Sequence, residues 1–200
     1  IERVTSLNRI LKLVENSTSP QDVINNLLYF KDEGVKRGKE ARSIDFTNKD
    51  EIISNLRVFD DPQFYSKFGG KIAKYSLLRI EIEGSELGNI RKEFGGIITV
   101  EHILPRNPPK DSIWLKLFTD EDRNDLTNKL GNLVLLSRKK NSQAQNYDFK
   151  KKKDVYFLSG RKITDFNITK QLSDISEWNP EELRKRHDSF KSDLFKIYLP

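Results

Sequence analysis

The chain contains no cysteine and no methionine, and only two of its 200 residues are histidine. Without cysteine it can form no disulfide and no thiolate zinc knuckle, and it has no cysteine nucleophile. That composition fits a reducing cytoplasm, the expected compartment. Lacking an initiator methionine, the sequence is expected to be an excised piece of a longer protein, or a processed product. No run approaches the roughly 18 apolar residues of a membrane helix. The opening "IERVTSLNRILKLVENSTSP" is amphipathic and charged, unlike a signal peptide. No membrane partner is therefore expected. The scarcity of histidine makes its placement informative: "VEHILPRN", residues 100–107, sets His102 directly after Glu101, behind an apolar run and ahead of Pro105.

Two hundred residues suffice for one domain, or for a small module joined to a larger one, with a sizeable core. Apolar residues make up 36% and charged residues 33%, which describes a globular chain with a very polar surface. A net charge of +6 leans towards a polyanionic partner. The charge is concentrated: "SRKKNSQAQNYDFKKKKDVY", residues 137–156, holds seven Lys/Arg against two Asp. Such a run is either a solvated helix face or a phosphate-binding surface.

Apolar spacing predicts a helix over 4–16 and a second from Ser19-Pro20 to about Phe30, then a polar loop. Thr47 or Asn48 is placed to cap a helix beginning near 49. "DDPQFYSKFGG" breaks that helix. "KIAKYSLLRIEIE" reads as another, with Ile72, Tyr75, Leu77, Leu78 and Ile82 on its buried side. The character changes at 97, where "IITVEHILP" is short and β-branched, as a strand is. After a loop with the helical turn "SIWLKLF", the run "LGNLVLLS" (130–137) can pair back as the other arm of a hairpin. Asn146 is read as the N-cap of a helix over roughly 147–157. Asn179-Pro180-Glu181-Glu182 starts a last helix. His187, in "RKRHDSF", is read as solvated or paired with Asp188, and "RKRH" as a surface stripe. The expected fold class is α+β, predominantly helical, with a hairpin-helix insert packed among helices.

The insert carries Glu101-His102 at the end of its first strand, Asn132 in "LGN", and Asn141 nine residues later. This order resembles the HNH, or ββα-metal, nucleases. The pattern EHI-x-P, LGN-L-x-LL, N-x4-N-x2-F-x2-K-x3-Y falls here on Asn141, Asn146, Phe149, Lys152 and Tyr156. It is similar to the C-terminal nuclease domain of the GmrSD-type modification-dependent restriction endonucleases. "YSLLRIE" and the later Trp178 and Arg184 resemble that family's flanks, so the likeness spans about 72–190. It implies an N-terminal helical region at 1–70 and an HNH nuclease domain at 71–200, with the ββα-metal core at about 97–157 and a helical tail. It also implies DNA as partner, modified phage DNA among the targets, and an N-terminal nucleotide-sensing domain elsewhere in the protein.

The chemistry agrees with that likeness. Phosphodiester hydrolysis needs an activated water, neutralised phosphate charge and help for the leaving 3′ oxygen. A neutral imidazole takes a proton from water near neutral pH, and His102 is the base of the motif. Mg²⁺, or Mn²⁺ in its place, takes oxygen ligands and keeps several waters. Glu101 and Asn141 supply a carboxylate and an amide oxygen of that kind. Glu101 and His102 are adjacent, so on a regular strand they point to opposite faces, and both serve one site only if the strand ends or bends there. The family likeness gives Asn132 the job of bracing the loop that carries His102. Lys139, Lys140, Lys150, Lys152 and Lys153 are the candidate phosphate contacts. On one unbroken helix Asn146 lies about 140° from Asn141, which favours its reading as a cap over joint ligation. Each residue alone has an ordinary structural use; the joint spacing carries the reading. The expected function is a metal-dependent DNA endonuclease domain in prokaryotic defence. The alternatives are a non-catalytic nucleic-acid-binding module of the same shape, and a protein-interaction domain formed by the helices of 1–90.

Overall fold

The two short apolar runs pair as expected. In the computed structural model, which describes residues 49–84, 97–157 and 164–199, strands β1 (Ile98–His102) and β2 (Leu133–Ser137) form a two-stranded antiparallel sheet. The helices expected before residue 31, the following loop and the cap at Thr47 or Asn48 lie outside the described residues. The chain forms two compact units, Ile1–Asn55 and Leu56–Pro200. Helix α1 (Lys49–Leu56) begins where the sequence predicts a helix. The second unit is predominantly helical around the one sheet found among the described residues.

Helix α2 (Phe64–Glu83) contains the expected break as a kink, not a loop: Gly69 has φ 77° and ψ 167°, backbone space open to glycine. Its buried face is Ala73, Ser76, Leu77, Ile80 and Glu81, while Ile72 and Tyr75 are exposed. The sequence reading had put those two inside.

The register sets Glu101 opposite Val134 and His102 opposite Leu133. Directly opposed side chains share a face. Glu101 therefore shares one face with Val134 and Leu136, which join the main core with Ile103, Leu104, Trp114, Tyr156 and Trp178. His102 shares the other face with Leu133 and Leu135, all buried.

A two-stranded sheet has no third strand to take its outward carbonyls, and a buried carbonyl needs a partner. Side chains supply them. On β1, Ile98 O accepts from Lys74 Nζ at 2.8 Å, Val100 O from Asn141 Nδ2 at 3.2 Å and His102 O from Lys152 Nζ at 2.5 Å. On β2, Leu133 O accepts from Arg186 Nη1 at 2.9 Å and Leu135 O from the Thr169 hydroxyl at 2.9 Å.

The connection between the strands holds α3 (Trp114–Leu117) and α4 (Asp120–Leu126). The sequence reading gave one helical turn here and missed α4. Its signal is the capping box, in which Thr119 and Asp122 exchange side-chain and backbone bonds. After β2 come α5 (Arg138–Ala144) and α6 (Phe149–Phe157). Gln145, at φ 41°, ends α5. The cap of α6 is Asp148, whose carboxylate accepts the Lys151 N–H at 2.9 Å, and not Asn146, which is exposed. Helix α7 (Asn167–Lys170) follows. Helix α8 (Pro180–Tyr198) begins at the predicted Asn179-Pro180 start, with the Asn179 side chain accepting from Glu182 N.

The "RKRH" of α8 is not a surface stripe throughout. Leu183, Arg186, His187, Phe190 and Leu194 recur at helical spacing and are all buried. Arg186 also donates to Gly131 O and Ile168 O. His187 Nδ1 accepts the Gly131 N–H at 3.3 Å. A Cβ at Gly131 would lie 2.6–2.7 Å from His187 backbone and Cβ atoms, so the glycine of "LGN" is required by the close approach of α8.

Burial, with Lys129 and Lys191 nearby, lowers the His187 pKa to about 4. The unfolded chain takes up this proton near pH 6.5 and the folded chain does not, so stability falls as pH drops from about 6.5 to 4. His187→Asn keeps an acceptor for Gly131 and removes the titration. Urea unfolding at pH 7 and pH 4.5 should show the variant losing less stability than the parent, by roughly 2–3 kcal/mol; equal losses would remove His187 from the acid response.

Candidate functional site

His102 is the last residue of β1 and is 8% exposed. The Tyr65 ring of α2 meets the imidazole edge-on, with centroids 4.6 Å apart and an 81° interplanar angle. Burial lowers the imidazole pKa to about 3, helped by the charges of Arg106 and Lys152. The ring is therefore uncharged at neutral pH, as a proton acceptor must be.

The turn beyond His102 is fixed by Asn132. Its Oδ1 accepts the Leu104 N–H at 2.8 Å and its Nδ2 donates to Leu104 O at 2.9 Å and Thr127 O at 2.8 Å. Trp178 Nε1 adds a bond to Oδ1 at 3.3 Å, and the Asn132 carbonyl takes the Ile103 N–H at 2.9 Å. The side chain is fully buried and uses both ends of its amide.

Glu101 points the other way, as strand alternation requires. Its Oε1 accepts from Lys152 Nζ at 2.7 Å, and the same ammonium reaches His102 O. Burial raises the Glu101 carboxyl pKa, while Lys152 pulls it down. Alternation sends the two side chains to opposite faces, and because the strand ends at His102 both can still reach a site at its end. Asn141, on α5, spends its amide nitrogen on Val100 O, which leaves Oδ1 as its acceptor end, one residue along β1 from Glu101. Among the described residues there is no group of three or more His, Cys, Asp or Glu placed to hold a metal ion. One carboxylate and one amide oxygen suit a hard cation that keeps water and takes phosphate oxygens.

Residues 47–192 match the family described as GmrSD restriction endonucleases, C-terminal domain. The chain belongs to this family. The match begins upstream of the 72–190 expected from the motifs and takes in all of α2, which carries Tyr65. No curated protein and no solved structure matches the chain.

In this GmrSD-type domain the five candidate lysines separate. Lys139 and Lys150 are exposed. Lys140 is buried, with its ammonium on Tyr156 O. Lys153 donates to Ile175 O at 2.6 Å. Lys152 is fully buried and belongs to the interior, not to a basic surface. Asn146 stands exposed. Three neighbours of the site went unread in the sequence: Tyr65, Asn128 and Arg106. Asn128 and Arg106 lie within four residues of a motif residue, in "TNKLGN" and "HILPR", but only folding brings Tyr65 there.

Lys152→Met should destabilise the domain by about 3–5 kcal/mol, because it strips a buried carboxylate of its counter-charge. Lys139→Met, on the surface, should stay within about 0.5 kcal/mol of the parent. Chemical denaturation compares them directly. Equal stability of the two variants would return Lys152 to the surface set.

Proposed function

We propose that this GmrSD-type domain is a metal-dependent DNA endonuclease of the HNH, or ββα-metal, kind. The observation that carries the reading is an uncharged imidazole at the end of β1, on a turn held by Asn132 at Leu104. His102 takes the proton of the attacking water. Its low basicity has burial as the main cause, then the cations Arg106 and Lys152. A phosphodiester set beside those cations offsets their charge and so raises that basicity. Asn132 keeps the imidazole in place without touching substrate. Glu101 and Asn141 are the residues that would hold Mg²⁺ or Mn²⁺, which when bound neutralises phosphate charge and stabilises the leaving oxygen. Lys139 and Lys150 face solvent and draw the DNA backbone. The family name further supports a restriction role, with foreign or modified DNA as target and a separate nucleotide-sensing domain.

A second reading, a non-catalytic nucleic-acid-binding module, draws on one observation: the Glu101 carboxylate is already paired with Lys152. Mutants decide between them. His102→Ala should lower cleavage by about 10² or more while DNA still binds. Asn141→Ala should bind metal more weakly and recover partly with excess Mn²⁺. Lys71→Ala, on the exposed side of α2, should cleave normally. If His102→Ala cuts at the parental rate, His102 is not the base; a parent that binds DNA and cuts none replaces the nuclease with the binding module.

DNA binding should also depend on salt. Replacing Lys139 and Lys150 by alanine should reduce the slope of log K against log salt by about 2, near 0.9 for each lost phosphate contact. An unchanged slope would assign them to a merely solvated face.

A further inference from the structure

We propose that Asn128 is a positioning residue for His102: its side-chain oxygen accepts the imidazole Nε2–H, leaving Nδ1 to take the proton. The starting observation is a pair of orphans. His102 Nε2 and Asn128 Oδ1 are both sealed from solvent, and neither has a partner at full hydrogen-bond geometry. The Asn128 side chain lies within hydrogen-bonding reach of the imidazole, and a buried polar atom left unpaired is costly, so these two of opposite need belong together. Bonds of this sort are often long in an unliganded site and tighten when substrate arrives.

One contact sets which end of the amide faces the ring, and two others fix the residue around it. Asn128 Nδ2 donates to Gln63 Oε1 at 3.2 Å, just before α2, which turns Oδ1 away from Gln63. The Asn128 carbonyl accepts the Tyr65 N–H at 3.1 Å, so the residue is held at both backbone and side chain. Asn132 bonds Thr127 O on one side and Leu104 on the other, which ties the Asn128 turn to the His102 turn. An amide oxygen only accepts. The nitrogen facing it must therefore carry the proton. Nδ1 is not among the sealed atoms, and its lone pair is the one a water can reach. The Tyr65 ring edge closes the remaining side.

The tautomer can be read without any activity. Long-range ¹⁵N–¹H correlation spectra of the whole chain resolve two imidazoles, with His187→Asn assigning them. The parent should show His102 protonated on Nε2, and Asn128→Asp should keep that form. Asn128→Leu, of equal size and with no acceptor, should lose the preference. In single-turnover cleavage Asn128→Leu should be slower by about 10- to 100-fold, with DNA affinity within about twofold, and Asn128→Asp should regain part of the rate. Protonation on Nδ1 in the parent, or an unchanged tautomer and rate in Asn128→Leu, overturns the proposal. Its catalytic half rests on the nuclease reading. Should the parent cut no DNA, that reading fails, and the parent's tautomer still decides the role of Asn128.

Discussion

A two-stranded sheet buried among helices has a difficulty that larger sheets share out among many strands. Every outward carbonyl lies on an edge, with no further strand beside it to donate a hydrogen bond. Here the two edges are closed by side chains from α2, α5, α6, α7 and α8. A lone hairpin is marginal at best. These bonds, with the core on one face and α2 on the other, are what allow a five-residue strand to carry His102 in a fixed place.

The same constraint explains why site and scaffold are hard to separate. Asn141 is a candidate ligand and also the partner of Val100 O. Lys152 neutralises Glu101 and holds the carbonyl of His102. Asn132 serves two turns at once, and through them sets the distance between His102 and Asn128. Mutation of any of these groups changes geometry and charge together, so effects on stability have to be measured beside effects on rate. Arg186 illustrates the purely structural extreme: a buried guanidinium whose donors meet three carbonyls and which lies 4.3 Å from the Phe190 ring centre.

Much of this was legible in the sequence. β-branched runs gave the hairpin, and Asn-Pro-Glu-Glu gave the start of α8. The order Glu-His, Asn, Asn pointed to the family before any geometry was known. What failed, failed for physical reasons. Lys152, Arg186 and His187 look like surface residues by composition, because their burial depends on acceptors that only tertiary structure supplies. For Arg186 and His187 the apolar spacing of Leu183, Phe190 and Leu194 was a usable signal. Asn146 lost the cap to Asp148 because the positive φ at Gln145 shifts the start of α6, a local feature that composition does not announce. Asn128 was invisible for another reason: its partner lies across the fold, at the end of β1.

In the proposed function these residues together hydrolyse DNA with the help of a divalent cation. Incubation of the unmodified chain with supercoiled plasmid, in Mg²⁺, in Mn²⁺ and in EDTA, tests it most directly. A metal-dependent nuclease should give nicked or linear product with either cation and intact plasmid in EDTA. Plasmid that is bound yet left supercoiled in every cation, or cut equally well in EDTA, would contradict it.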